Sequence, residues 1–392
     1  MVLSHPFHCP TRVVEGDAFD DALADLLQHR TWALVTSPGW VARGAVDRLS
    51  GRCGNPAAVF FDVNTNPTIS DVVRLAGRLP AIEAIVALGG GSVIDAAKGA
   101  VALRALGGVA APFLAHLRQG TPLPAGLAPT PILAVPTTAG TGSEVTRWGT
   151  IWGDDGIKYS VNHPALYPTH AVLDPALTLL MPGELTLATG LDALSHAMEA
   201  VWNRRHSAIT DTIASRAITL VHQNLADALA RPADLGARRR MQTASLLAGL
   251  AMGTTQTALA HSISYPFTAR FGMPHGLACS FTLAEVARYN LQTAPDRLTP
   301  IAAGLGCAAK DIPATLESWF ARLGLGAAVG RYVGPEVADG FGPDLITRSR
   351  VGNNIRDVDG AAALALTRAA LERWCTAPAV AGRYDVLKAK GQ

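Results

Sequence analysis

A disulfide framework is the first thing this sequence lacks. Its five cysteines (Cys9, Cys53, Cys279, Cys307 and Cys375) are odd in number, scattered and in no CxxC pairing. That argues for a reducing cytoplasm. No apolar run reaches membrane-spanning length, although 49% of the residues are hydrophobic, so the chain reads as soluble, with no membrane partner. The opening MVLSHPFHCPTR lacks the basic-then-apolar order of a secretory signal. A net charge of +2 makes no electrostatic argument for nucleic acid. The cluster Arg238, Arg239, Arg240 reads as a solvated helix face.

What is present is length and rhythm. A chain of 392 residues is long for one core and fits two domains. Trp32–Ser37, Ala57–Val63 and the continuous apolar run Ala84–Leu88 read as strands. They alternate with helices over Val41–Leu49 and, after the Asn66-Pro67-Thr68 turn, over Ile69–Leu79. This alternation is the signature of a parallel sheet with crossover helices. Residues 104–130, rich in Gly, Ala, Pro and Leu, read as an irregular excursion before the strand Ile132–Val135. Val145–Trp152 and Ile157–Val161 read as a hairpin around Gly153-Asp154-Asp155-Gly156, and Ala171–Asp174 as a last strand. Beyond Pro182 the periodicity is helical. We therefore expect an α/β domain over 1–181 and an all-helical domain over 182–392.

Two loops in the first half have the chemistry of a nucleotide site. Gly89-Gly90-Gly91-Ser92-Val93-Ile94-Asp95 follows the third strand and opens a helix. Glycines let the backbone approach a ligand, and a helix N-terminus presents N–H groups to an anion such as a pyrophosphate. A tight turn with no ligand is the plain alternative, since the pattern is not GxGxxG. The second loop, Pro136-Thr137-Thr138-Ala139-Gly140-Thr141-Gly142-Ser143-Glu144, is dense in hydroxyls suited to phosphate and ribose oxygens. In the helical half, Asp192 and His196 stand four residues apart in LATGLDALSHAMEA, one above the other on a helix face. A carboxylate and an imidazole suit a borderline ion such as Zn²⁺ or Fe²⁺. His261 and His275, downstream in an equally apolar segment, could add donors. A hydrogen-bonded core pair is the bland reading.

Taken in order, GGGSVID at 89–95, PTTAGTGSE at 136–144, GLDALSHAMEA at 190–200 and the pair His261…His275 resemble the iron-containing (group III metal-dependent) alcohol dehydrogenase family. The resemblance covers almost the whole chain. It implies a Rossmann-like N-terminal domain and a helical C-terminal domain, the dehydroquinate synthase-like fold, with NADH or NADPH and one divalent metal (Fe²⁺ or Zn²⁺) in a cleft. It implies Asp192, His196, His261 and His275 as metal ligands. It also implies Ser37, Asn66, Gly90, Gly91, Ser92, Asp95, Thr137, Thr138, Thr141, Ser143 and Lys158 as cofactor contacts, though Asp95 could instead cap its own helix. Family members are often homo-oligomers, so a dimer is expected.

Two departures from the family pattern matter. A histidine commonly found four residues beyond the third ligand is here Tyr265. Its phenol could relay a proton less readily near neutrality, or simply pack. Ser37 stands where NAD-preferring relatives often place Asp, so a 2′-phosphate is not repelled and NADPH is permitted. The texture TRWGTIW…KYSVNHPALYP with EAVWN is similar to the phosphonoacetaldehyde reductase branch. Arg147, Trp148, Arg204, Arg270 and Arg356 are then candidates for gripping an anionic aldehyde, since guanidinium groups bind phosphonate oxygens by paired bonds. A general short-chain alcohol or lactaldehyde dehydrogenase is the nearest rival, and a catalytically dead binding protein on the same scaffold the rival of another class.

Overall fold

The computed structural model describes residues 6–154, 156–342 and 345–375. Asp155 of the expected hairpin turn lies outside them. The chain divides into two compact units, one spanning His8–Leu180 and one running from Met181 onward, with the described residues before His8 grouped with the second.

In chain order the first unit holds β1 (Arg12–Glu15), α1 (Phe19–Leu27), β2 (Trp32–Val35), α2 (Pro38–Ala42), α3 (Ala45–Cys53), β3 (Ala58–Phe60), α4 (Ile69–Arg78), β4 (Ala84–Gly89), α5 (Gly91–Ala105), α6 (Ala110–Gln119), β5 (Ile132–Pro136), β6 (Trp148–Trp152), β7 (Lys158–Asn162) and β8 (His170–Leu173). Six of the strands form one parallel sheet in the order β1-β8-β5-β4-β2-β3. Central β4 is buried along its whole length. Its Ile85 and Ala87 face one apolar cluster and its Val86 and Leu88 the other. A strand covered on both faces carries no polar alternation, and AIVALG has none.

Four details depart from the sequence reading. The excursion at 104–130 contains α6, which buries Phe113, His116 and Leu117, an i, i+3, i+4 stripe masked by flanking glycines and prolines. The single helix over Val41–Leu49 is two, because Gly44 takes φ 75° and breaks it. Strand β1 was not expected; it is a four-residue edge strand, largely exposed, with little pattern to read. The hairpin begins at Trp148, since Ser143–Val145 forms a 3-10 turn.

The second unit is helical: α7 (Gly183–Val201), α8 (Ala208–Ala230), α9 (Leu235–Thr255), α10 (Leu259–Phe271), α11 (His275–Ser280), α12 (Leu283–Leu291), α13 (Thr299–Leu305), α14 (Ile312–Arg322), α15 (Leu325–Val329), α16 (Arg348–Val351) and α17 (Gly360–Trp374). Its centre is α7, which packs on α8, α9 and α11. Nearly every residue from Thr186 to Val201 is buried, as expected for a helix apolar on all sides. Arg238 is not on a solvated face. It is 2% exposed and donates to Thr186 Oγ1 at 2.8 Å and to the Pro232 carbonyl at 3.0 Å, while Arg239 and Arg240 are exposed. No helix among the described residues is long and apolar enough to cross a membrane.

Candidate metal centre and cofactor loops

Helix α7 sets Asp192 and His196 on one face, with Asp192 Oδ1 3.9 Å from His196 Nε2. From α10, His261 reaches the same carboxylate oxygen with Nε2 at 3.7 Å. Its ring stacks on His196 with centroids 4.6 Å apart and meets His275 edge-on at 5.4 Å. His275 opens α11, and the residue after it explains the approach. A Cβ at Gly276 would lie 1.8 Å from the Ala188 carbonyl oxygen, so only glycine lets α11 seat against α7. The structure thus brings together all four residues that the resemblance implied as ligands. A somewhat different quartet has donor atoms all within 4.8 Å of one another: Asp192, His261, His275 and Cys279.

The donors fit a divalent cation. Asp192 Oδ1 and His261 Nε2 are buried and have no hydrogen-bond partner among the described residues, an arrangement that costs stability unless something positive binds there. Burial opposes charge on Asp192, yet the surrounding imidazoles, His196 first, hold its carboxyl well below the usual range.

One residue that the sequence reading missed orients this set. Glu199, fully buried, accepts from His261 Nδ1 at 2.6 Å, His261 N at 3.1 Å and Ala258 N at 2.8 Å. Burial would raise its pKa, but His261 and the backbone donors lower it. With Nδ1 turned to this carboxylate, Nε2 is the His261 ring nitrogen that faces Asp192. The signal was available. Asp192, His196 and Glu199 follow i, i+4, i+7, one stripe of a helix. The backbone leading into α10 is held too: Gln256, at φ 67°, is bonded by Asn203 Nδ2 at 3.1 Å and Arg350 Nη1 at 2.9 Å. Tyr265, one turn after His261, stacks on His275 with ring centroids 6.3 Å apart.

In the α/β unit, the two expected loops meet each other. None of Gly89, Gly90 and Gly91 has positive φ among the described residues. A Cβ at Gly91 would stand 2.7 Å from the Thr141 side chain, and one at Gly90 3.2 Å from Thr138. These glycines therefore serve close loop packing. Helix α5 starts at Gly91 with no side-chain cap, which leaves its first N–H groups for an anion. Ser92 Oγ donates to the Thr65 carbonyl, next to exposed Asn66. Thr137 is bonded through its N–H to Gly89 O at 3.0 Å.

Beneath these loops lies a brace that the sequence reading also missed. Lys98, fully buried, donates to Ser143 O at 2.6 Å, Ser143 Oγ at 2.9 Å and Trp148 O at 2.7 Å. Asp95 accepts from Ser143 Oγ at 2.6 Å and Thr150 N at 2.9 Å. It does not cap its own helix, and the side chains of Asp95 and Ser143 are committed to protein partners. Burial, partly offset by Asp95 and Glu144, lowers the Lys98 pKa to about 8. Burial also raises that of Glu144 to about 7. Ser37 sits at the end of β2, at the N-cap of α2, with no capping bond from its side chain. Lys158 begins β7.

Residues 10–175 match the family model "Iron-containing alcohol dehydrogenase", and residues 186–324 match "Fe-containing alcohol dehydrogenase family, C-terminal". This chain belongs to the iron-containing alcohol dehydrogenases. It is 40% identical over 268 residues to a phosphonoacetaldehyde reductase of Streptomyces viridochromogenes, covering 66% of each chain. It is 36% identical to a 1,3-propanediol dehydrogenase of Klebsiella pneumoniae, covering 72% of this chain and 73% of that one. Among solved structures it superposes on the sulfoacetaldehyde reductase from Bifidobacterium kashiwanohense in complex with NAD+, with a TM-score of 0.83 at 28% identity, covering 95% of this chain and 99% of that one. As an iron-containing alcohol dehydrogenase it is an oxidoreductase of a family that uses NAD(H) and a metal.

The four arginines expected to grip an anion each have contacts within the protein. Arg204 pairs with Asp357 at 2.6 Å. Arg356 lies over Tyr289, its Cζ 3.6 Å from the ring centroid, and donates to Tyr289 O and Gln292 Oε1. Arg270 lies over the Phe341 ring. Only for Arg356 do these contacts engage both the planar face and the donors. Arg147 lies over Trp148 with Cζ 5.2 Å from the ring centroid, and its buried Nε has no hydrogen-bond partner among the described residues.

Proposed function

We propose that this dehydrogenase reduces a small anionic aldehyde with a nicotinamide hydride, and that phosphonoacetaldehyde, giving 2-hydroxyethylphosphonate, is its substrate. The observation that carries this reading is the likeness to two reductases named for acetaldehydes bearing an acidic group, one by sequence and one by fold. Arg147 is the cation assigned to the acidic end, with Trp148 beside it. Arg204 and Arg356 are left out because other partners hold them.

In this reading Asp192, His196, His261 and His275 would hold the divalent ion, which when bound would supply positive charge to the carbonyl oxygen of the substrate. Glu199 keeps His261 in the tautomer that can donate its Nε2 lone pair. The N–H groups opening α5, with the hydroxyls of Thr137, Thr138 and Thr141, bind the cofactor pyrophosphate and ribose. Lys98 and Asp95 position Ser143 and the loop that carries those hydroxyls. Asn66, Ser92 and Lys158 line the same cofactor. The Tyr265 hydroxyl passes the proton that the reduced oxygen takes up. NADPH is accepted because Ser37 adds no negative charge beside a 2′-phosphate. The protein works as a cytoplasmic homo-oligomer.

A second reading, an uncharged short-chain alcohol as substrate, is favoured by the likeness to the 1,3-propanediol and 1-propanol dehydrogenases. Steady-state rates with phosphonoacetaldehyde and propanal, each with NADPH and NADH, separate the two. A kcat/KM strongly favouring the phosphonate supports the anion pocket; equal values remove it.

A further inference from the structure

Arg43 is not among the residues that the resemblance implied as cofactor contacts, yet its side chain folds back beside one that is. Strands β2 and β4 run parallel with Val35 opposite Ala87, and Thr36 Oγ1 donates to Leu88 O at 2.7 Å. Ser37 therefore leaves β2 one strand away from Gly89, where the glycine turn begins. In a doubly wound sheet the nucleotide lies across the carboxyl ends of the strands. Its pyrophosphate sits at the glycine turn, and the ribose with the 2′ group sits at the next strand end. From Ser37 the chain turns through Pro38 and Gly39 into α2, whose C-cap is Arg43. A Cβ at Gly39 would lie 2.7 Å from Arg43 Nη1 and 3.9 Å from Ser37 Oγ. Guanidinium and hydroxyl thus border one small space that the missing side chain keeps open. Arg43 is exposed, with Cζ 5.4 Å from the Trp40 ring centroid, and its guanidinium has no hydrogen bond or ion pair among the described residues. The next two arginines, Arg48 and Arg52, pair with Asp20 and Asp21. The acid just past β3, Asp62, is held by Arg74 at 3.0 Å.

We propose that Arg43, with the Ser37 hydroxyl, recognises the 2′-phosphate of NADPH and makes this chain prefer it to NADH. The inference rests on the cofactor reading above and goes further: Ser37 only removes a repulsion, whereas Arg43 supplies an attraction. A phosphate monoester carries close to two negative charges and presents three acceptor oxygens. A guanidinium fork grips two of them by parallel hydrogen bonds. The Ser37 hydroxyl donates to the phosphate as well and adds no charge. NADH places a neutral hydroxyl at the same point and gains little from the cation.

The test is nucleotide binding to the full-length chain, measured by calorimetry. NADPH is compared with NADH, and adenosine 2′,5′-bisphosphate with 5′-AMP, each pair differing only in the 2′-phosphate. The parent protein should bind the phosphorylated member at least about tenfold more tightly, by a margin that shrinks as salt rises. Arg43→Ala should weaken NADPH about 10–100-fold while NADH moves by less than about twofold. Arg43→Lys should recover part of the margin, as a point charge without the fork. Equal weakening of NADPH and NADH in Arg43→Ala assigns the residue to local structure and overturns the proposal, as does an unchanged NADPH affinity. A parent protein that binds NADH as tightly as NADPH overturns it and leaves the cofactor reading standing. A parent protein that binds neither nucleotide overturns the cofactor reading, and the proposal with it.

Discussion

Replacing Glu199 with glutamine changes one atom in a fully buried site and removes one negative charge. The native carboxylate accepts three hydrogen bonds, from Ala258 N at 2.8 Å, His261 N at 3.1 Å and His261 Nδ1 at 2.6 Å. A glutamine amide has a single acceptor oxygen. Placed where Oε2 now lies, it keeps the bonds from Ala258 N and His261 Nδ1 and turns its NH2 towards His261 N, donor against donor. An orphaned buried N–H costs about 1–3 kcal/mol, and the remaining bonds lose about 1 kcal/mol with the charge, so the helical unit should lose about 2–4 kcal/mol. His261 is then less firmly oriented and less basic, which should weaken metal binding about 10–100-fold. Denaturant unfolding measures the first effect, and competition with a chromophoric chelator for Zn²⁺ measures the second. Nucleotide affinity is the control, because the cofactor loops belong to the other unit. Unchanged stability and unchanged metal affinity in Glu199→Gln would refute the role given to this carboxylate.

His275→Ala should abolish metal retention, read by elemental analysis, while nucleotide binding survives; a variant that keeps its full metal content sinks the ligand assignment. Ser37→Asp should shift the NADPH-to-NADH ratio of kcat/KM towards NADH by about tenfold, the equivalent of about 1.4 kcal/mol, and an unaltered ratio counts against its placement. Gly91→Ala puts a Cβ 2.7 Å from the Thr141 side chain; it should cost about 1–3 kcal/mol of α/β-unit stability and raise KM for the nucleotide, both readable by titration and unfolding. Stability should also vary with pH through Glu144 and Lys98. The Glu144 carboxyl, raised by burial from 4.5 to about 7, keeps its proton in the folded state where the unfolded chain has lost it, so stability falls as pH rises from 4.5 to 7. Lys98, lowered by burial from 10.5 to about 8, is the reverse, so stability rises again from pH 8 to 10.5. Glu144→Gln should flatten the lower limb in unfolding curves taken across that range, and a limb that persists would place its origin elsewhere.

Parts of the site were legible in the chain and parts were not. Asp192 and His196 could be paired without coordinates because helix spacing alone brings i and i+4 together. Glu199 obeyed the same rule and could have been read. The irregular-looking 104–130 hid α6 because its buried stripe is short and its flanks are rich in breakers. The contacts of the arginines were not legible, for a different reason. A guanidinium seeks the nearest carboxylate or ring, and Asp357 lies 153 residues from Arg204 while Tyr289 lies 67 from Arg356.

By itself the sequence determined the α/β rhythm, the buried central strand and the helix that pairs Asp192 with His196, since all of these follow from periodicity within a few turns of chain. The tertiary structure alone decided that Glu199 meets His261 across 62 residues, that Thr141 fills the space a Cβ on Gly91 would need, and that Cys279 shares a pocket with Asp192. Such contacts depend on how α7, α10 and α11 pack, and packing is settled by shape and volume over the whole core.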